Sequence, residues 1–245
     1  MSNANFEGTF ELPTRGLLYT SIPAEVTLRG MTTKEEKILF ASAGGNVFQK
    51  ILQNCITDPE GVDAGELISA DELFLILQLR KITYGEIYSV TVTCPVCGAK
   101  DTYKIDLNDF EVNYLPEDFK EPIEVTLPRS GDKLELHILR NSDIKYIDKQ
   151  SKKLAKQFNI PVREIEYTMR MARFISTING NAVDTEEARS YVDTMMSMDS
   201  AYFWSVLNKI KIGFDTSVTV SCQACQEEFD FNMPITSEFF RPKFD

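Results

Sequence analysis

Apolar and polar residues alternate regularly in two short segments of the chain, "SVTVT" from Ser89 and "SVTVS" from Ser217. The alternation places the valines on one side of an extended chain and the hydroxyl residues on the other, which predicts two half-buried β-strands. It resumes from Tyr103 after the first segment and from Phe229 after the second. Each strand is therefore predicted to return as a β-hairpin, with the intervening residues at its tip.

Helices are predicted where a Ser, Thr or Asp is followed three residues later by Glu, the capping-box spacing that satisfies free N–H groups at a helix start. This spacing occurs at Thr32 or Thr33 with Glu35 or Glu36, at Ser69 with Glu72, and at Asp184 with Glu187. One further helix is predicted to be capped by Asn141 or Ser142, and another to have Pro161 in its first turn. Three helices are predicted to end at glycines, namely Gly85, Gly180 and Gly213.

The two hairpin segments belong to a longer internal repeat. Residues 71–97 and 199–225 align without a gap, and 11 of the 27 aligned positions are identical. The identical positions include Asp71 with Asp199 and all four cysteines of the two segments. Because local composition alone does not keep two distant segments in register, we interpret the repeat as a duplicated unit of helix, glycine turn, strand and cysteine knuckle.

The repeat divides the chain into two predicted halves of the α+β class, residues 1–120 and residues 121–245. Each half is predicted to contain one helix-plus-hairpin unit with one cysteine knuckle. The second half is longer in helices, because a helical insertion precedes its hairpin. The acidic segment at the boundary contains Pro116 and Pro122, as is typical of a connection between two lobes.

Four of the five cysteines form two Cys-x-x-Cys motifs, Cys94 with Cys97 and Cys222 with Cys225. A tetrahedral zinc ion takes four ligands, and a Cys-x-x-Cys turn supplies two thiolates at a suitable separation. The 124 residues between Cys97 and Cys222 far exceed the roughly 15 to 20 residues found between the pairs of a compact zinc site. Two duplicated hairpin tips can nevertheless meet around one ion, so we predict one structural zinc ion per chain, bound by all four cysteines.

Two other functions of the cysteine pairs stay open. A thiol-disulfide oxidoreductase of the thioredoxin kind would need a helix directly after the motif, and the alternating sequence found there disfavours it. A zinc-ribbon nucleic-acid adaptor would need basic and aromatic residues around the motifs, whereas Glu227, Glu228 and Asp230 follow the second one. The fifth cysteine, Cys55, lies in an apolar segment and is interpreted as a small buried side chain.

The charge of the chain narrows the range of partners. The 245 residues carry a formal net charge of −11, which would repel nucleic acid. No apolar run approaches the roughly 20 residues that span a bilayer, and the first residues lack the pattern of a secretion signal. We therefore expect a cytosolic protein that binds neither nucleic acid nor membrane.

No motif in the sequence indicates catalysis. The single histidine, His137, lies in an alternating strand without an accompanying nucleophile or acid motif. The segment Ser42–Phe48 contains two glycines but lacks the Lys-Ser/Thr of a phosphate-binding loop, so it is predicted to be a loop or a helix break. Since four cysteine ligands would also leave zinc without an open position, we expect no enzyme.

Two proline-punctuated apolar segments are predicted to be extended arms that pack on another surface. They are "ELPTRGLLY" near the start of the sequence and "SEFFRPKFD" at its end. An acidic, duplicated protein with a structural metal and apolar arms is better suited to holding partners than to converting a substrate.

Several of these segments together resemble a known family. "LPTRGLLY" at Leu12–Tyr19, "TTKEEK" at Thr32–Lys37, "FISTINGNAVD" and the paired knuckles resemble the baseplate hub and hub-assembly proteins of T-even-like contractile-tailed phages. The resemblance covers most of the chain. It implies a phage tail morphogenesis protein that is made in the host cytoplasm and binds baseplate hub proteins. Such a protein is either a hub component of the virion tail baseplate or an assembly chaperone that leaves.

Overall fold

The computed structural model describes residues 6–41 and 47–241, in which helices and antiparallel strands form a mixed fold. The described strands are β1 (Glu7–Glu11), β2 (Glu25–Arg29), β3 (Ile56–Asp58), β4 (Ile87–Thr93), β5 (Lys100–Asp106), β6 (Ile123–Thr126), β7 (Lys133–Leu136), β8 (Ile175–Ile178), β9 (Asn181–Ala182), β10 (Ser217–Ser221) and β11 (Glu228–Asn232). The described helices are α1 (Thr33–Ala41), α2 (Val47–Cys55), α3 (Ser69–Tyr84), α4 (Asn141–Phe158), α5 (Val162–Phe174), α6 (Thr185–Asp193) and α7 (Ser197–Leu207), followed by a 3-10 turn (Ser237–Phe240). The predicted mixture of helix and sheet is confirmed. Residues 42–46 of the segment predicted to be a loop or a helix break lie outside the described residues, and Val47 and Phe48 begin α2.

Two antiparallel sheets have related layouts. The first has the strand order β1-β2-β3 and the second the order β6-β7-β8-β9. In both sheets a Leu-Pro turn follows the first strand, beginning at Leu12 in one and at Leu127 in the other. In both, the register between the second and third strands shifts once, next to Leu28 in the first sheet and next to Leu136 in the second.

The Leu-Pro turn of the first sheet is held by Asp71, a buried residue of α3. Its carboxylate accepts hydrogen bonds from the Thr14 N–H (3.1 Å), the Thr14 hydroxyl (2.5 Å) and the Tyr19 hydroxyl (2.6 Å). Burial raises the pKa of Asp71, because a carboxylate inside a protein loses its hydration. The three donors compensate for that loss and fix α3 to the turn.

The second sheet has the same kind of contact. Asp199 of α7 is buried and accepts hydrogen bonds from the backbone N–H groups of Arg129 (2.7 Å) and Ser130 (3.0 Å), which follow the second Leu-Pro pair. Asp71 and Asp199 are equivalent positions of the sequence repeat. An identical residue thus anchors the helix before each cysteine hairpin to a turn of the neighbouring sheet.

An ion pair fixes the start of α1. The buried carboxylate of Glu35 accepts two hydrogen bonds from Arg29 (3.0 and 3.2 Å), together with bonds from the N–H (2.9 Å) and hydroxyl (2.8 Å) of Thr32. Arg29 also donates to the carbonyl of Asn54 (2.8 Å), at the end of α2. The glutamate half of the capping box predicted at Thr32 and Glu35 is therefore confirmed, while the Thr32 hydroxyl accepts from the N–H of Lys34 (3.3 Å). Through these contacts Arg29 joins β2 to both helices.

Two large hydrophobic clusters fill the fold. The larger one packs β1, β2, α2 and α3 together with residues from the end of the chain, namely Phe214, Met233, Phe239 and Phe240. The second packs one face of β6, β7 and β8 against α5, α6 and α7. The end of the chain therefore shares a core with its beginning.

The two segments predicted to be extended arms form turns on this shared core, so that prediction is wrong for their described part. Leu12 and Leu18 of the first segment are buried. In the second, the Phe239 ring meets Tyr88 edge-on at 4.9 Å, and its carbonyl accepts a hydrogen bond from the buried Arg80 (2.9 Å). Residues 242–245 of the second segment lie outside the described chain.

Two of the predicted glycine helix ends are wrong. Helix α5 ends at Phe174, because the following "ISTI" forms strand β8, and Gly180 (φ 79°) lies in the turn between β8 and β9. Gly213 lies beyond the end of α7 and exchanges two backbone hydrogen bonds with Asn113 (2.7 and 2.8 Å). Its φ of 80° favours glycine, and a Cβ there would stand 3.1 Å from the Cβ of Ala70. Gly85 does end α3.

The capping box predicted at Ser69 and Glu72 is also wrong, although α3 begins at Ser69. The Ser69 hydroxyl lies 3.2 Å from the side-chain carbonyl oxygen of Asn141. The Glu72 carboxylate instead accepts hydrogen bonds from the side-chain amides of Gln49 and Asn141. Contacts with α2 and α4 have therefore replaced the local cap, while the box at Asp184 and Glu187 forms as predicted.

Replacing Asp71 by Ala should lower the free energy of unfolding by about 2–4 kcal/mol, because two buried donors and one partly buried donor lose their acceptor. Chemical denaturation measures this loss. The matched control is Asp109→Ala, which removes an exposed aspartate and should change stability by less than about 0.5 kcal/mol. Equal effects of the two substitutions would contradict the role of Asp71 as an anchor.

Glu35 should make stability depend on pH. Burial alone would raise the pKa of Glu35, but the hydrogen bonds from Arg29 and Thr32 lower it to about 2, against an ordinary value of 4.5. Its contribution, roughly 2–3 kcal/mol, is therefore present above pH 4.5 and is lost as the pH falls toward 2. The stability difference between wild type and Glu35→Gln should shrink over that range, whereas a difference independent of pH would contradict this assignment. Glu25→Gln, at an exposed glutamate, is the control.

Candidate metal centre

Each Cys-x-x-Cys motif forms the same tight turn at the tip of a hairpin. In the first, Cys94 donates its N–H to the carbonyl of Ala99 (2.8 Å) and accepts from the N–H of Gly98 (3.0 Å). In the second, the corresponding bonds join Cys222 to Glu227 and Gln226, both at 2.9 Å. The hairpins are β4 with β5 and β10 with β11, as the alternation predicts.

The residue after the second cysteine is left-handed in both turns. Gly98 has a φ of 76° and Gln226 a φ of 62°. This conformation costs glycine little but is uncommon for a residue with a side chain. The second turn therefore keeps the backbone shape of the first even where its sequence does not favour it.

The two hairpin tips bring all four predicted cysteines together. Their sulfur atoms lie within 4.8 Å of one another, with Cys94 to Cys225 at 3.9 Å and Cys97 to Cys222 at 3.7 Å. A zinc–sulfur bond of about 2.3 Å places the ligands of a tetrahedron about 3.8 Å apart. Two of the sulfur–sulfur distances thus match a tetrahedral site, the others stay within 4.8 Å, and none of the four cysteines is in a disulfide.

The pKa values of two of the thiols, Cys94 and Cys225, also suit a bound cation. The backbone N–H of Cys97 is the main cause that lowers the pKa of Cys94 to about 7. The N–H of Glu227 acts in the same direction on Cys225, but burial and the neighbouring cysteines outweigh it and raise that pKa to about 12. One thiol therefore ionises readily while another resists, because thiolates packed this closely repel one another. A divalent metal removes that repulsion and favours all four thiolates.

An apolar shell surrounds half of the cluster. Cys94 and Cys222 are buried with Phe229, against partly buried side chains of both hairpins. The rings of Tyr103 and Phe229 meet edge-on at 6.4 Å. Cys97 is exposed, so the other half of the cluster faces solvent. The alternation predicted that Tyr103 and Phe229 lie in the returning strands, but it did not predict that they pack across the two hairpins.

The hairpins belong to separate two-stranded sheets, so backbone pairing between strands does not join them. Side chains do, through the cysteines and the shell around them. A carboxylate oxygen of Asp101 also lies 4.0 Å from the sulfur of Cys222. The sulfur cluster is therefore the polar centre of the contact between two distant segments.

The family model of the T4 bacteriophage base plate protein matches residues 5–241. The chain belongs to this family. No curated protein and no solved structure matches it. The resemblance to baseplate proteins of T-even-like phages is thus confirmed at the level of the baseplate, over nearly the whole length of the chain.

Cys55 and His137 of this baseplate protein lie away from the sulfur cluster. Cys55 is fully buried at the end of α2, where burial raises the pKa of its thiol to about 12, as expected for a small core side chain. His137 follows β7, and its backbone N–H donates to the carbonyl of Phe174 (2.9 Å). Among the described residues, no helix is both long and apolar enough to cross a membrane.

Titration of the reduced baseplate protein with Co²⁺ should give one tetrahedral tetrathiolate site per chain, seen as intense visible absorption. Cys94→Ser should weaken binding at least about tenfold and reduce the hydrogen-exchange protection of both hairpins, since each tip loses its link to the other. Cys55→Ala is the matched control and should leave the Co²⁺ spectrum unchanged. Loss of the spectrum in that variant, or its survival in Cys94→Ser, would show that the four ligands were chosen wrongly.

Proposed function

We propose that the chain is a tail morphogenesis protein that binds other baseplate proteins during assembly of the baseplate hub. The observation that carries this proposal is the family match over residues 5–241. The segments Leu12–Tyr19 and Thr32–Lys37 support the hub assignment by their resemblance to hub and hub-assembly proteins. Assembly begins in the host cytoplasm, and the protein acts as a hub component or as an assembly chaperone. Its role is in binding, not catalysis.

The sulfur cluster in this proposal holds one structural zinc ion per chain, with Cys94, Cys97, Cys222 and Cys225 as ligands. The sulfur separations of 3.7 and 3.9 Å and the donor set of four thiolates support zinc over harder cations, which prefer oxygen ligands. Four sulfur ligands leave no position for water or substrate. The ion therefore stabilises the contact between the hairpins.

The two units 1–120 and 121–245 in this proposal arose by duplication. Support comes from pairs of equivalent features in the two sheets and hairpins. These are the Leu-Pro turns at Leu12 and Leu127, the aspartates Asp71 and Asp199 that hold them, the shifted strand registers next to Leu28 and Leu136, and the two cysteine turns. The two members of each pair lie between 108 and 128 positions apart in the sequence. The elements of the second unit are therefore spaced differently along the chain from those of the first.

The oxidoreductase alternative is less well supported. Each Cys-x-x-Cys lies between two strands of a hairpin, whereas a thioredoxin-like pair sits at the start of a helix that lowers the pKa of its thiol. The nucleic-acid alternative is disfavoured by Glu227, Glu228 and Asp230 beside the second knuckle, which repel phosphate.

Native mass spectrometry tests the proposal on the full chain co-expressed with each baseplate hub protein of the same phage in turn. The expected result is one zinc ion per chain and a stable complex with at least one hub protein. Cys55→Ala should retain both. A chain that binds none of the hub proteins would overturn the hub role, and intrachain disulfides without metal would favour the oxidoreductase instead.

A further inference from the structure

Exposed apolar side chains are concentrated in the helical region α4 to α7. Of the thirteen large hydrophobic residues that are exposed in the described chain, eight lie there, namely Tyr146, Phe158, Ile160, Val162, Tyr167, Met196, Met198 and Tyr202. Exposed apolar surface that gathers in one region is typical of an interaction site. The helical region therefore exposes more large apolar side chains than the rest of the described chain.

An apolar groove of about 300 Å³ lies between α5 and α7. Phe174 of α5 and Trp204 and Leu207 of α7 line its sides, and isoleucines from the neighbouring segments complete it. Among the described residues that line it, Arg170 alone is charged. The groove therefore suits an apolar insert that has one acidic side chain beside it.

The walls of the groove are fixed before anything binds. The Trp204 indole N–H donates to the Tyr167 hydroxyl (3.1 Å), which lies 2.9 Å from the hydroxyl of Ser200. The rings of Phe174 and Trp204 meet edge-on at 5.9 Å. Because these side chains are already ordered, binding does not have to immobilise them.

The turn between α4 and α5 offers apolar side chains and an acidic residue. Phe158, Ile160 and Val162 project from it with 54, 37 and 39% of their surfaces exposed. The turn is stiff, because Asn159 is left-handed (φ 53°) and Pro161 precedes α5. The acidic residue Glu164 lies just beyond the turn, at the start of α5. We name residues 158–164 the corner.

We propose that the corner of one copy of the chain docks in the α5–α7 groove of a second copy. The apolar side chains of the corner fill the groove, and Glu164 pairs with Arg170. Arg170 now has Glu166 of its own helix at 3.5 Å, and both side chains are more than 40% exposed, so that pair is weak and can be exchanged.

Corner and groove are different patches of the same molecule. Two copies can therefore exchange them reciprocally in a two-fold dimer, or successive copies can use them head to tail in a ring. This self-association goes beyond the proposed binding of hub proteins and requires neither that function nor the metal.

Analytical ultracentrifugation of the full chain over a range of concentrations tests the proposal. Wild type should self-associate reversibly, and Phe158→Asp should weaken the association at least about tenfold, because it places a charge in the apolar contact. Ile87→Asp, at a residue of the first hairpin with 49% of its surface exposed, is the matched control and should associate like wild type. Circular dichroism establishes that each variant is folded.

A charge exchange tests the predicted pair directly. Arg170→Glu and Glu164→Arg should each weaken self-association, whereas an equimolar mixture of the two variants should associate more strongly than either alone. A wild-type chain that sediments as a monomer at all concentrations would overturn the proposal. So would association that Phe158→Asp leaves unchanged. If the monomer instead binds a hub protein and Arg170→Glu abolishes that binding, the groove belongs to that partner and not to a second copy.

Discussion

A two-stranded β-hairpin buries too little apolar surface to be stable alone in water, and this chain contains two such hairpins. Each is therefore held at both ends. At its base the first hairpin is closed by a backbone bond from Leu107 to Glu86 (2.9 Å), and the second is tied to the chain by the bridge between Gly213 and Asn113. At the tips the two hairpins contact each other, through four sulfurs and an apolar shell.

The spacing of the sulfurs depends on contacts far from them. Helices α3 and α7 lead into the hairpins, and each is anchored by a buried aspartate to the Leu-Pro turn of a sheet. These hydrogen bonds fix each helix relative to a sheet, and each helix in turn fixes the hairpin that follows it in the chain. Because a carboxylate without donors is costly to bury, Asp71 and Asp199 tolerate little displacement of the turns. A cluster whose sulfurs must lie about 3.8 Å apart to share a tetrahedral ion needs such stiff supports.

The sequence predicted the hairpins and their cysteines because strand alternation and the Cys-x-x-Cys turn are local patterns. It did not predict what Asp71 and Asp199 do, since their partners lie 57 and 70 residues earlier in the chain. The sequence did contain a signal of these contacts, because a Leu-Pro pair occurs both at Leu12 and at Leu127. Gly213 was misplaced for a similar reason, since its conformation serves contacts with Asn113 and Ala70 and not a helix end. The two predicted arms were wrong for another reason, because an apolar segment has the same sequence pattern whether it packs on a partner or on the core of its own chain.

The C-terminal tail changes what a metal at the cysteines would contribute. Phe239 and Phe240 are buried in the core that also contains Leu12 and Val26, and Arg80 holds the Phe239 carbonyl. The two parts of the chain are therefore joined by the tail, by the bridge at Gly213 and by the sulfur cluster. Metal binding adds free energy only to the structure that forms the site, and the tail and the bridge do not need the ion. Loss of metal should therefore loosen the hairpin tips first, while the two sheets and their shared core stay folded.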